Sequence, residues 1–119
     1  MLELFGRAGS VIPLADEALL EPAMAVMSSG PAFVALMAEA FAEAGAAHGL
    51  EPGDARRMAV ETMAGTAAWL EQHELDTADL RRRVATPGGV TEKGLLTLEE
   101  GGMRDLCRAA VDTVVEATR

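Results

Sequence analysis

Between Pro31 and His48 the chain offers water almost nothing to hold. The stretch Ala32–Ala38 carries no polar side chain, and Ala40, Ala44 and Ala47 add a face of small residues. Ser28-Ser29-Gly30-Pro31 reads as a start signal, with Pro at a first helical position, and Gly49 reads as a stop. The segment therefore reads as a helix that is apolar nearly all round, and such a helix belongs in the centre of a structure. The next segment is rich in apolar positions as well. A chain of 119 residues has few other elements with which to cover two helices of this kind. Self-association is the expected remedy, and a symmetric dimer is its commonest form.

The other elements follow from spacing and punctuation. Asp16 is placed to cap a helix whose stripe is Leu19, Leu20, Ala23, Met24 and Met27, with Pro22 in its first turns. Pro52 opens a helix reaching about Gln72, with Ala55, Met58, Ala59, Thr62, Met63, Thr66, Trp69 and Leu70 at helical spacing. Gly65 costs about 1 kcal/mol against Ala in a helix interior, so it is expected to mark a close helix crossing. Thr77 is expected to cap a short helix through Val84. After Ala85-Thr86-Pro87-Gly88-Gly89 a further helix runs Val90–Glu100, with Leu95 and Leu98 expected inside. Met103, Leu106, Cys107, Ala110, Val111 and Val114 line the last one, with Cys107 expected in the core. Val11–Leu14 is extended, and residues 1–15 read as a lead-in. No segment alternates as a strand does. The expected fold is all-α, five or six helices in one domain over residues 1–119.

Composition narrows the function. Ten Lys plus Arg against 19 Asp plus Glu give a net charge of −9, the wrong sign for a phosphate backbone, so nucleic acid is not an expected partner. No apolar run was expected to reach the ~20 residues of a membrane span, and the first ten residues lack the layout of a signal peptide. The single Cys107 fits a reducing, cytoplasmic setting. His48 and His73 sit near helix ends and read as surface residues. Glu39 and Glu43 share a helix face without the companions a metal site needs. Gly89-Val90-Thr91-Glu92-Lys93-Gly94 is not a phosphate loop, because Leu95 and Leu96 stand where Lys and Ser or Thr must follow. No cofactor is expected on this chain alone. One segment remains: Thr86-Pro87-Gly88-Gly89-Val90-Thr91, entering a helix. Glycines there let a ligand approach the backbone, the first N–H groups of the helix favour a small anion, and the two Thr hydroxyls donate or accept. An ordinary helix cap uses the same residues.

Leu80-Arg81-Arg82-Arg83-Val84-Ala85-Thr86-Pro87-Gly88-Gly89-Val90-Thr91, followed by Gly94-Leu95 and Leu98-Glu99-Glu100-Gly101-Gly102, resembles the signature region of pyrroline-5-carboxylate reductases. Ser29-Gly30-Pro31-Ala32-Phe33 is similar to that family's Ser-Gly-Pro-Ala-Tyr helix start. Glu39-Ala40, Ala44-Gly45 and Gly49-Leu50 fall at the spacings of its central helix. The resemblance implies the C-terminal helical dimerisation domain of such an enzyme, interlocked as a homodimer. Its usual companion is an N-terminal Rossmann domain carrying NADPH or NADH. It implies that Thr86, Gly88, Gly89, Val90 and Thr91 bind a small cyclic imino acid by its carboxylate, and that Thr91 takes the catalytic position beside the ring nitrogen. It assigns no cofactor-binding residue and no metal ligand here. The chain departs from the family pattern at Met24, Met27-Ser28, Phe33, Asp76-Thr77, Arg82, Val90, which keeps its backbone amide, and Glu92, which replaces a hydrophobic residue.

Two functions are weighed from these residues. One is the dimerising, substrate-holding half of a reductase that converts 1-pyrroline-5-carboxylate to L-proline, with a variant acting on another imine or ketone. The other is a non-catalytic dimeric helical module that binds a small carboxylate or a partner protein.

Overall fold

The structure is a computed structural model that describes residues 16–119; the lead-in over residues 1–15 and the extended segment Val11–Leu14 lie outside the described residues. Among the described residues there are helices and turns and no strand, as the composition implied. The described residues divide into two compact units, residues 16–34 with Arg104–Arg119, and Ala35–Met103.

In the first unit the carboxylate of Asp16 accepts the Ala18 N–H at 2.9 Å, the expected cap. A 3-10 turn, Glu17–Leu19, leads into α1, Leu20–Met24, and then into a π turn, Ala25–Ser29. The next helix, α2, begins at Gly30 and runs to Ala47. Ser28-Ser29-Gly30-Pro31 is thus not the break that the sequence suggested. A proline inside a helix supplies no N–H, and its ring crowds the carbonyl four residues back. That residue is Met27, inside the π turn, and the wider turn takes up the misfit without ending the helix. The continuous helical run Glu17–Ala47 has a consequence for an earlier expectation: by length and composition it contains a window able to cross a membrane. The last helix, α6, is Met103–Ala117, and past its end Arg119 Nε donates to the Glu21 carboxylate at 3.4 Å, an exposed ion pair.

The second unit opens with the rest of α2. Its end is a Schellman motif: the Leu50 N–H reaches the Gly45 carbonyl at 3.2 Å, the Gly49 N–H reaches Ala46 at 3.0 Å, and Gly49 takes φ +105°. The same motif folds Leu50 back on the helix, where a Cβ on Gly45 would stand 3.0 Å from Leu50 Cδ1. Helix α3, Pro52–Gln72, has Pro in its first turn and Glu51 as its cap, accepting the Asp54 N–H at 2.9 Å. Helix α4 is Thr77–Val84. Its cap is Asp76, not Thr77; the Asp76 carboxylate accepts the Asp79 N–H at 2.9 Å, and Thr77 is the first helical residue. Between α3 and α4, Glu74 and Leu75 hold φ of 59° and 61°, a conformation uncommon for residues with a side chain. Helix α5, Val90–Glu100, ends at Gly101-Gly102 as expected, with Gly102 at φ +86°.

The core belongs to alanines. Among the described residues the buried hydrophobic positions are Ala25, Ala38, Ala55 and Ala59, and no large side chain is fully buried. Helix α2, expected at the centre, buries only Ala38, while Leu36 is 62% exposed and Phe41 51%. Three further expectations change for the same reason. Leu98 and Cys107 are exposed rather than inside, and Leu95 is half-buried. Among the described residues nothing lies within 4 Å of where a Cβ on Gly65 would be, so no helix crossing is seen there.

Candidate functional site

The segment singled out in the sequence lies wholly in the second unit, between α4 and α5. Helix α4 delivers the chain to it from a well-tied end. Arg83 Nε donates to Asp79 at 2.9 Å, and Arg82 reaches the other Asp79 oxygen at 3.5 Å. The hydrogen bond from Arg83 holds the Asp79 carboxyl below its ordinary range. The Arg83 guanidinium also lies 5.6 Å from the centre of the Trp69 ring, within cation–π range. Trp69 in turn stacks on His73 at 3.8 Å, nearly parallel, and the His73 Nδ1 is 2.7 Å from the Trp69 carbonyl. The last turn of α3 and the last turn of α4 are thereby joined just ahead of the segment.

The segment itself is a type II turn. The Gly89 N–H reaches the Thr86 carbonyl at 2.9 Å, Pro87 takes the second position, and Gly88 takes the third with φ +76°. Proline presets the one conformation and only glycine accepts the other without strain. Gly89 is required for a different reason. A Cβ there would stand 2.7 Å from Thr86 Oγ1 and 3.1 Å from the Thr86 carbonyl oxygen. Gly89, with extended backbone, then caps α5 without a side chain of its own.

Of the amides on this turn, two are used within the chain. Gly89 bonds to Thr86, and the Gly88 N–H donates to Glu92 Oε1 at 3.1 Å. The N–H groups of Val90, Thr91 and Glu92 belong to the first turn of α5, where a helix has no carbonyl to offer. They point out of the helix end with its positive dipole, a setting that favours an anion. Thr86, Gly88, Val90 and Thr91 are exposed and Gly89 is half-buried. The expected residues Thr86, Gly88, Gly89, Val90 and Thr91 are thus contiguous around one helix start, with the Thr91 hydroxyl beside the free amides and without a hydrogen bond inside the described chain. The residue that the expectation left out of the site is Glu92. Its position, third in a helix, is that of the glutamate of a capping box, which reaches back toward the cap N–H; here it reaches one residue further, to Gly88.

Elsewhere the candidates stay bland. His48 and His73 are exposed. Glu39 and Glu43 line a shallow groove with Ala42, Ala46, Pro52 and Arg56, and no group of three metal-binding side chains occurs among the described residues. Among the described residues there is no strand from which a dinucleotide-cradling turn could start.

Known proteins give the segment its context. The family model for pyrroline-5-carboxylate reductase dimerisation matches residues 17–119. A pyrroline-5-carboxylate reductase of Neurospora crassa is 45% identical over 108 residues, covering 91% of this chain and 32% of that protein. The enzyme of Lophium arboricola is 41% identical over 117 residues, covering 98% and 36%. Among solved structures, Plasmodium falciparum pyrroline carboxylate reductase with NADP bound superposes with a TM-score of 0.82 at 26% identity, covering 91% of this chain and 41% of the other. The chain therefore spans roughly a third of the length of these sequence relatives.

Proposed function

The chain belongs to the pyrroline-5-carboxylate reductase family, matched through its dimerisation domain, and from that premise we propose that it forms the dimerising, substrate-holding part of such a reductase. The observation that carries the reading is the Thr86–Thr91 turn, which leads into the first amides of α5 and the Thr91 hydroxyl, without a hydrogen-bond partner among the described residues, at a helix start within the matched region. In this reading the first amides of α5 hold the carboxylate of 1-pyrroline-5-carboxylate, and the Thr91 hydroxyl faces the ring nitrogen. The chain's contribution to catalysis is orientation and electrostatics. Hydride for the C=N bond comes from NADPH or NADH held by a Rossmann domain, a partner outside the residues described here.

Two copies interlock as a homodimer in this proposal. Support comes from the exposed apolar side chains of α2 and α3, among them Leu36, Phe41, Met58 and Val60. A single chain with an alanine core leaves them to water, and a second copy covers them. The membrane-length window in Glu17–Ala47 is read the same way, as interface, and the protein is assigned to the cytoplasm.

The test combines this chain with a folded, NADPH-binding Rossmann half and follows NADPH absorbance with pyrroline-5-carboxylate. Turnover that needs both halves is the expected result, and the chain alone is expected to show none. Two halves that associate without turnover would favour the non-catalytic dimeric module instead.

A further inference from the structure

The Gly88 N–H donates to Glu92 Oε1 at 3.1 Å, which puts a carboxylate of the protein against the same turn that is proposed to receive a carboxylate from the ligand. We infer that Glu92 is a specificity-determining residue of this turn: an internal carboxylate that competes with an anionic ligand and sets how strongly the turn discriminates between charged and uncharged ligands. The inference rests on the ligand reading of the Thr86–Thr91 turn.

Three observations carry it. First, the backbone donors are divided: Gly89 is committed to Thr86 and Gly88 to Glu92, so a ligand is left with the amides that open α5. Second, the side chain cannot be far from those amides. Glu92 is the third residue of the same helix, is half-buried, and spans back across the first turn to Gly88. Third, the turn is shaped independently of Glu92. Pro87, the positive φ of Gly88 and the Gly89-to-Thr86 bond define it without that side chain. Removing the negative charge therefore leaves the geometry and changes the electrostatics. A ligand carboxylate on the Val90 and Thr91 amides meets a like charge one helical turn away, or displaces it at the loss of the Gly88 bond. Either route penalises an anion and leaves a neutral ligand untouched.

The experiment uses the whole chain and amide NMR. Tetrahydrofuran-2-carboxylate and tetrahydrofuran-2-carboxamide, the same five-membered ring as an anion and as a neutral amide, are titrated into the wild type, Glu92→Gln and Glu92→Leu. Glutamine keeps an acceptor for the Gly88 N–H and loses the charge; leucine loses both. One unit charge at about 4 Å in a water-like medium corresponds to about a fivefold change in affinity. The ring carboxylate is expected to bind both variants about fivefold tighter than the wild type, with the neutral amide unchanged. The Gly88 amide is expected to exchange with solvent faster in Glu92→Leu than in the wild type. Equal carboxylate affinity in all three proteins, with the α5 amides shifting on titration, overturns the role of Glu92 while the ligand reading of the turn stands. An equal gain for the carboxylate and the neutral amide overturns it too, because the effect would not follow charge. Unchanged Gly88 exchange in Glu92→Leu removes the contact itself. If the carboxylate moves none of the turn amides in any of the three, the ligand reading fails and the role of Glu92 falls with it.

Discussion

Helix α2 and the turn into α5 are both exposed, and their exposure has opposite meanings. In α2 it is chemically out of place: Leu36 at 62% and Phe41 at 51% present apolar surface that water penalises by ~25 cal/mol per Å². In the turn it is chemically apt, because Val90 and Thr91 present amides and a hydroxyl suited to a polar partner. One region asks to be covered by something apolar and large, the other by something polar and small. In the proposed reading a second copy of the chain meets the first demand and a small carboxylate the second. The contrast separates assembly from recognition in a chain whose buried positions, among the described residues, are four alanines.

The sharpest way to break this contrast is Leu36→Glu. If α2 stays exposed in solution, a surface substitution of this kind changes stability by about 0.5 kcal/mol or less. If a second copy covers it, the substitution buries an unpaired charge and costs several kcal/mol, so the dimer dissociates or unfolds. Analytical ultracentrifugation and thermal unfolding of the variant decide between the two. We expect loss of the dimer.

On the other side of the contrast, Gly88→Ala and Gly89→Ala should cost about 1–2 kcal/mol each, for distinct reasons. The first forces a side chain into φ +76° with open space around it, while the second brings a Cβ to 3.1 Å from the Thr86 carbonyl oxygen. Gly88→Asn separates them, since asparagine tolerates the left-handed region. Recovery of stability in urea unfolding is expected for Gly88→Asn relative to Gly88→Ala. The corresponding asparagine at Gly89 should gain nothing.

How much of this was readable in advance differs between the two regions. The break at Thr86-Pro87-Gly88-Gly89 and the helix start after it were legible, because proline and glycine act through local backbone preferences alone, the same preferences that make the turn type II. The helices Pro52–Gln72 and Val90–Glu100 were legible for the same reason, through Pro52 and the flanking glycines. Position in space was not. Apolar periodicity reports that Leu98 and Cys107 seek burial without reporting what buries them, and both are exposed in the structure. Ser28-Ser29-Gly30-Pro31 misled because local punctuation cannot register a π turn, which depends on the helix continuing on both sides. Glu92 was visible as an awkward charge, but its bond to Gly88 depends on the side chain folding back across the turn.

A smaller effect sharpens the recognition side. The Thr91 hydroxyl has no hydrogen bond within the described chain, so Thr91→Ala should leave the unfolding temperature nearly unchanged and weaken L-proline binding by about 1 kcal/mol, one hydrogen bond. Titration calorimetry and thermal unfolding of the same variant check both halves. A fall in stability with no change in affinity would assign the hydroxyl to the scaffold instead.

The smallest effect is set by two carboxylates, the exposed Glu51 after α2 and the half-buried Asp79 ahead of the turn. Glu51 is held below its ordinary value of 4.5 by the backbone N–H groups of Gly53 and Asp54, and Asp79 below 3.8 by its hydrogen bond from Arg83. A carboxylate whose pKa is lower folded than unfolded stabilises the fold fully above the unfolded value, and that contribution is lost as pH falls through the folded value. Stability should therefore decline below about pH 4.5, first through Glu51 and then through Asp79. Glu51→Gln and Asp79→Asn should each flatten part of that decline in urea unfolding measured across pH 3 to 6, the range around ordinary carboxyl values. The two differ in what they should disturb. Glu51 caps α3 behind the Schellman turn, so its loss should lower stability without touching proline affinity. Asp79 orients Arg83 over Trp69 at the end of α4. Its loss should also change the fluorescence of the single Trp69 and the order of the turn that follows, which ties the acid-sensitive part of the scaffold to the recognition region rather than to α2.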